Sequence, residues 1–179
     1  MPQNAENDIL KGMYLLREGG NGNSDNRLHV QLLGAGTILR EVIAASELLE
    51  ADYNICADIW SVTSFNELRR EALDVLRWNM LHPDQSARFS HVENCLKNRQ
   101  GPVIAASDYM KIYADQIREF VPGKYRVLGT DGFGRSDTRE KLRHFFEVDR
   151  YYIVVATLKV LSEEGKIAHE EVIEAIQKF

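Results

Sequence analysis

Five short apolar segments alternate with stretches whose apolar residues recur at helical spacing, and this alternation leaves few folds open. The segments are GMYLLRE, LHVQLLG, YNICADIWSV, PVIAAS and YRVLG. Between them, TILREVIAASELLEA sets Ile38, Val42, Ala45 and Leu49 on one helical stripe. SFNELRREALDVLRWN does the same with Phe65, Leu68, Ala72 and Leu76, and places Ser64 and Glu67 as a capping box. SHVENCLKN repeats the box with Ser90 and Glu93. DYMKIYADQIREF reads as a helix stopped by Pro122. DTREKLRHFF reads as a helix with Asp137 at its cap, and DRYYIVVATLKVLSEE and HEEVIEAIQKF follow as two more. Short buried strands separated by amphipathic helices imply an α/β fold: a three-layer, doubly wound, mostly parallel sheet. GMYLLRE is expected as an antiparallel edge strand, forming a hairpin with LHVQLLG. The hairpin tip would be the Gly/Asn-rich stretch from Arg17 to Arg27. The expected division is 1–28 for edge strand and flexible loop, and 29–179 for one α/β domain.

The chain's bulk properties narrow its partners. A formal net charge of -5 without a long basic run makes nucleic acid and anionic membranes poor partners. No apolar run approaches the roughly 20 residues of a membrane helix. The N-terminal MPQNAENDILK is polar and acidic, unlike a signal or transit peptide. Cys56 and Cys95 do not make a disulfide framework, so a reducing, cytoplasmic setting is expected.

Two glycine-bearing loops follow strands, where many proteins hold a phosphate. In the first, Gly34 and Gly36 precede Thr37, which is placed to cap the next helix. The loop lacks the third glycine of a dinucleotide fingerprint and the lysine of a Walker loop. A tight turn needs small residues for steric reasons alone, so an anion site here is the secondary reading. The second loop, from Val127 into DTREKLRHFF, carries Gly129, Gly132 and Gly134 in the wrong order for a dinucleotide fingerprint. Asp131 and Asp137 would repel a phosphate, and Phe133 is apolar at the centre. Two readings stay open: an ordinary ordered turn, or an interface loop with Phe133 as anchor and Asp131, Arg135 and Asp137 as polar partners.

No catalytic constellation emerges. His29, His82, His91, His144 and His169 show no spacing that builds one metal site, and neither cysteine sits beside a recognisable histidine partner. Cys56 reads as inert core. Trp78, Met80 and Leu81 in RWNMLHP mark an interface if exposed and anchor a long connection if buried. Tyr151 and Tyr152 pose the same choice.

Taken together, VQLLGAGTILREV, WSVTSFNELRRE, RWNMLHP, SDYMK and LGTDGFGRSDTREKLRHFFEVD resemble the C-terminal part of the bacterial homodimeric pyruvate dehydrogenase family. More distantly, the G-x-D-x-F-G-x-S run is similar to the C-terminal domain of transketolases. The resemblance implies a parent chain that decarboxylates pyruvate with thiamine diphosphate and Mg²⁺ and acetylates the lipoyl group of a dihydrolipoyl acetyltransferase. It implies that this region is the third α/β domain, packing on upstream domains and supporting a homodimer. The family's cofactor motif is missing from this chain, so no catalytic, cofactor-binding or metal-binding residue carries over. The fragment alone is expected to be inactive. The alternative is a self-standing anion or nucleotide module built on the Gly34–Thr37 turn.

Overall fold

The computed structural model describes residue 2 and residues 5–20 and 26–179. A short helix α1 (Glu6–Leu10) leads into β1 (Met13–Arg17). Then follow β2 (Leu28–Ala35), α2 (Leu39–Tyr53), β3 (Ile55–Val62), α3 (Phe65–Leu81), α4 (His91–Leu96), β4 (Val103–Ala106), α5 (Lys111–Asp115) and β5 (Tyr125–Leu128). Three helices close the chain: α6 (Arg139–Phe145), α7 (Arg150–Glu163) and α8 (His169–Lys178).

The strands form one sheet in the order β1-β3-β2-β4-β5. β3, β2, β4 and β5 run parallel, and β1 joins β3 antiparallel, Met13 opposite Val62. The antiparallel edge strand is therefore present, but the expected hairpin is not. β1 skips its sequence neighbour β2, whose two edges are taken by β3 and β4. The stretch expected as the hairpin tip includes residues 21–25, which lie outside the described residues.

Each face of the sheet has its own core. Val30, Leu32, Ile55, Ile59 and Ile104 point into one, which α2 and α7 close with Val42, Leu49, Ile153 and Leu158. Leu33, Trp60, Val62, Val103 and Ala105 point into the other, which α3 and α4 close with Phe65, Leu68, Val92 and Leu96. Alternation along each strand thus divides the side chains between two buried layers, the mark of a doubly wound sheet.

Caps fix several helix starts. The Ser90 hydroxyl accepts from Glu93 N while the Glu93 carboxylate accepts from Ser90 N, completing the expected box. At α3 only half of the box forms: Ser64 Oγ accepts from Glu67 N, but the Glu67 carboxylate turns to Arg70. At α6 the cap is Thr138, which accepts from Lys141 N, and Asp137 instead accepts from Thr138 N at 2.7 Å. The helix expected up to Pro122 breaks into α5 and one 3₁₀ turn, Arg118–Phe120. The apolar stripe of α3 also outruns its support. Phe65, Leu68 and Ala72 are buried, whereas Leu76, expected on the same face, is 47% exposed beside the exposed Leu73 and Met80.

One buried polar cluster and one buried hydrogen bond tie segments together. In mid-sheet, Asp58 of β3 accepts from the Gln31 side chain of β2 at 3.0 Å and from Gly19 N at 2.9 Å. Trp60 Nε1 donates to Gln31 Oε1 at 2.8 Å, and Arg99 reaches Asp58 Oδ2 at 3.3 Å. Elsewhere, Tyr125 donates from its hydroxyl to the Ala114 carbonyl at 2.8 Å, which holds α5 against β5.

Candidate functional site

In an open parallel sheet, ligands bind outside the carboxyl ends of the strands, where the winding reverses. Here that place lies between β2 and β4, because the chain leaves β2 for β3 on one side and later returns to β4 on the other. The Gly34–Thr37 turn stands at this point. Gly34 is required by close approach: a Cβ there would lie 2.8 Å from Leu39 Cα. Gly36 is required by conformation, with φ +55.

The turn faces a carboxylate. Thr37 Oγ1 donates to Asp108 Oδ2 at 3.1 Å, and Asp108 Oδ1 lies 3.6 Å from where a Gly36 Cβ would stand. Thr37 thus spends its hydroxyl on the β4 loop rather than on capping α2. A negative charge held against this turn opposes an anion there.

The second glycine loop is tied down at its ends and open at its tip. Thr130 Oγ1 donates to the Asp108 carbonyl at 2.6 Å, and Asp131 Oδ1 accepts from Lys111 N at 3.0 Å. Asp137 is engaged with Thr138 N. Phe133 projects from the loop, 96% exposed, while Arg135 folds back with its guanidinium 4.0 Å from the centre of the Phe145 ring. The four residues singled out in this loop therefore separate: Asp131 and Asp137 serve the backbone, Arg135 lies over the Phe145 ring at the surface and Phe133 faces out.

Between the two loops lies a cavity of about 460 Å³, walled by Thr37, Asp108, Arg135 and Arg139 and floored by Leu142 and Phe146. Beside it is an ion cluster built on a buried carboxylate. Glu41, on the first turn of α2, accepts from Arg150 Nε at 2.9 Å and from Arg143 Nη1 at 2.7 Å. Burial by itself raises the Glu41 pKa, but the hydrogen bonds and charge of Arg150, with the charge of Arg143, hold the carboxyl below its ordinary range. Arg150 is shifted up, chiefly by its hydrogen bond to Glu41. A second cavity of about 420 Å³ opens on the other side of Gly36, against Ser64, Phe65, Ser107 and Tyr109.

Three of the histidines hold structural posts. His144 Nδ1 lies 3.2 Å from Asp149 Oδ2, and Asp149 also caps α7 by accepting from Tyr151 N and Tyr152 N. His91 Nε2 lies 2.9 Å from the Met13 carbonyl and 3.6 Å from Cys95 Sγ. Cys95 therefore does have a histidine beside it, one helical turn away, contrary to the reading of the sequence. Burial, the largest influence, pushes the thiol up to about 11, so the pair is not an activated nucleophile. At the end of α3, Trp78 meets His82, stacked at 4.4 Å, and the Arg88 guanidinium at 3.5 Å from its ring. Met80 and Leu81 beside it are exposed. Tyr151, 40% exposed, stacks on Phe179 at 4.8 Å.

Among the described residues no group of three or more His, Cys, Asp or Glu side chains gathers where it could hold a metal ion. Asp131, the acidic residue of the GTDG run, is already engaged with Lys111. Nor is any helix among the described residues long and apolar enough to cross a membrane.

The sheet order, the two cores and the loop that carries Phe133 define a member of the transketolase-like C-terminal domain family, to which this chain belongs: the family model described as "Transketolase-like TK C-terminal domain" matches residues 12–149. Over the whole of this chain, it is 59% identical to the pyruvate dehydrogenase E1 component of Pseudomonas aeruginosa. Across its full length again, it is 57% identical to the component of Cupriavidus necator and 50% identical to that of Escherichia coli K12. The chain spans about a fifth of the length of each of these relatives, 20% in every case. Among solved structures, the transketolase of Leishmania mexicana superposes with a TM-score of 0.57 at 14% identity, over 90% of this chain and 20% of its own. The Campylobacter jejuni transketolase gives 0.54 at 19% identity, over 85% and 19%. These two likenesses concern the fold alone.

Proposed function

We propose that this chain works as the C-terminal, subunit-packing domain of a cytoplasmic pyruvate dehydrogenase E1 component. The observation that carries this reading is the 59% identity running through the entire chain while covering a fifth of the relative. In the parent protein, thiamine diphosphate and Mg²⁺ would be held by upstream domains, where the cofactor supplies the electron sink for losing carbon dioxide from pyruvate. The acetyl group would pass to the lipoyl group of the dihydrolipoyl acetyltransferase component. This domain contributes a scaffold: two complete cores, a loop presenting Phe133, and the exposed side chains Leu73, Leu76 and Met80 of α3. Exposed apolar side chains set on rigid elements suit packing against upstream domains and the second subunit of a homodimer.

The test uses the 179-residue protein and the longer chain that contains it. The 179-residue protein is expected to release no carbon dioxide from pyruvate above background when given thiamine diphosphate and Mg²⁺. In the longer chain, Phe133→Ser is expected to weaken dimerisation while leaving the melting temperature of the isolated domain unchanged. Turnover by the isolated domain would overturn the reading.

A further inference from the structure

The cavity at the carboxyl edge of the sheet carries positive charge that the fold does not neutralise. Three guanidiniums line it, from Arg135, Arg139 and Arg143, against the single carboxylate of Asp108. Arg143 is engaged by buried Glu41, and Asp108 is engaged by Thr37. Arg135 and Arg139 have no carboxylate partner among the described residues. Eight of the twelve other arginines pair with Asp or Glu: Arg17, Arg27, Arg70, Arg99, Arg118, Arg126, Arg143 and Arg150. In a chain of net charge -5, two unpaired guanidiniums on one cavity are a local reversal of sign.

The wall chemistry is mixed in a way that suits a ligand. The floor is apolar, from Ile38, Leu142, Phe146 and Val148. Arg135 is held in place by its stacking on Phe145, so ordering it on a ligand costs less entropy than ordering a free side chain. A volume of about 460 Å³ falls within the range of small-molecule sites, roughly 300–1,000 Å³. Guanidinium forks match the paired oxygens of phosphate or carboxylate.

We propose that this cavity binds a small organic oxyanion, with its phosphate or carboxylate on Arg135 and Arg139 and its apolar body on the Leu142–Phe146 floor. Thr37 and Asp108 form the opposite wall of the same cavity, so the oxyanion is placed on the arginine side rather than on the backbone of the Gly34–Thr37 turn. This site does not depend on the assignment of the parent protein, so the two readings fail separately.

Fluorescence titration of the 179-residue protein with naphthyl phosphate, naphthoate and naphthol tests it. One or both oxyanions should bind saturably, and naphthol at least about tenfold more weakly, a difference of about 1.4 kcal/mol. The arm that binds more tightly identifies the headgroup. Added salt should weaken oxyanion binding. The double substitution Arg135→Ala with Arg139→Ala, both on exposed positions, should lower affinity at least about tenfold with the circular dichroism spectrum unchanged. Arg126→Ala, remote from the cavity, should leave binding as it was. No saturation by either oxyanion up to roughly 5 mM would overturn the proposal. Equal binding by the double variant, or equal weakening by Arg126→Ala, would overturn it as well.

Discussion

Arg150 Nε lies 2.9 Å from Oε2 of Glu41, a carboxylate 109 residues earlier in the chain and 6% exposed at its side chain. Arg143 reaches the other oxygen at 2.7 Å, so one carboxylate fixes the relative placement of α2, α6 and α7. Replacing Glu41 with Gln removes the charge from the centre of this cluster. The expected cost is about 2 kcal/mol, at the low end for a buried ion pair because Arg150 is 42% exposed and can rehydrate. The folded-state carboxyl titrates below its ordinary value of 4.5, so its contribution is complete above that pH and fades as pH falls through the lower folded-state value. The gap in urea midpoint between wild type and Glu41→Gln should be full at neutral pH and shrink on acidification below 4.5. A gap that persists unchanged in acid would contradict this.

Tyr125→Phe deletes one buried hydrogen bond and strands the Ala114 carbonyl that accepted it. Leaving a buried acceptor unpaired costs about 1–2 kcal/mol. A denaturant titration should show that loss without a change in slope, because the surface exposed on unfolding is nearly the same.

Cys95 should resist thiol reagents despite its histidine neighbour. With the thiol at about 11, its thiolate fraction at pH 8 is on the order of one in a thousand. Cys56 is 1% exposed. Neither residue is expected to react with an aromatic disulfide reagent on the minute timescale in the native protein, and both should react promptly in concentrated urea. Fast labelling of Cys95 in the folded chain would show that His91 activates it.

Two leucines on one helix should behave oppositely. Leu68→Ala empties a fully buried position and should cost about 3 kcal/mol. Leu76→Ser, two turns on, should change stability by less than about 0.5 kcal/mol. Chemical denaturation of the two variants separates a supported stripe from an overhanging one.

What could be read in advance follows the range of the interactions involved. The five strands and most helix starts are local matters of period and capping, and the Ser90–Glu93 box forms as its spacing implies. Pairing is not local. The pattern of GMYLLRE marks a strand but carries no label for its neighbour, and the unremarkable nearest choice, β2, already has both edges filled. Leu76 fits a helical stripe, yet burial depends on what lies opposite, and the covered part of α3 ends at Ala72. Asp137 and Thr138 are both good caps, and a shift of one residue costs the pattern nothing. The Glu41 cluster was missed although Glu41 adjoins the stripe of Ile38 and Val42, an odd place for a charge. Its partners are more than a hundred positions away, at separations of 102 and 109. Gln31 and Asp58, polar residues inside two apolar strands, are in register across the sheet, which is the signal that could have exposed the second cluster. At the candidate site, the motif loops were legible as loops, but the pairing of Thr37 with Asp108 and the contact of Arg135 with Phe145 are consequences of tertiary packing.

The pairing of β1 with β3 also sets an order of events. Synthesis runs from the N-terminus, and domains assemble as their parts emerge. Met13 leaves the ribosome well before Val62, the residue it will face, and no partner for its strand exists until β3 has been made. An apolar strand must therefore wait, unpaired, while the rest of its edge is built, and it joins the sheet by closing a loop over sequence that was translated after it. The segment that is made early finds its place only once β3 exists, and until then Met13 and Leu15 belong to an unpaired strand open to pairing with the wrong partner.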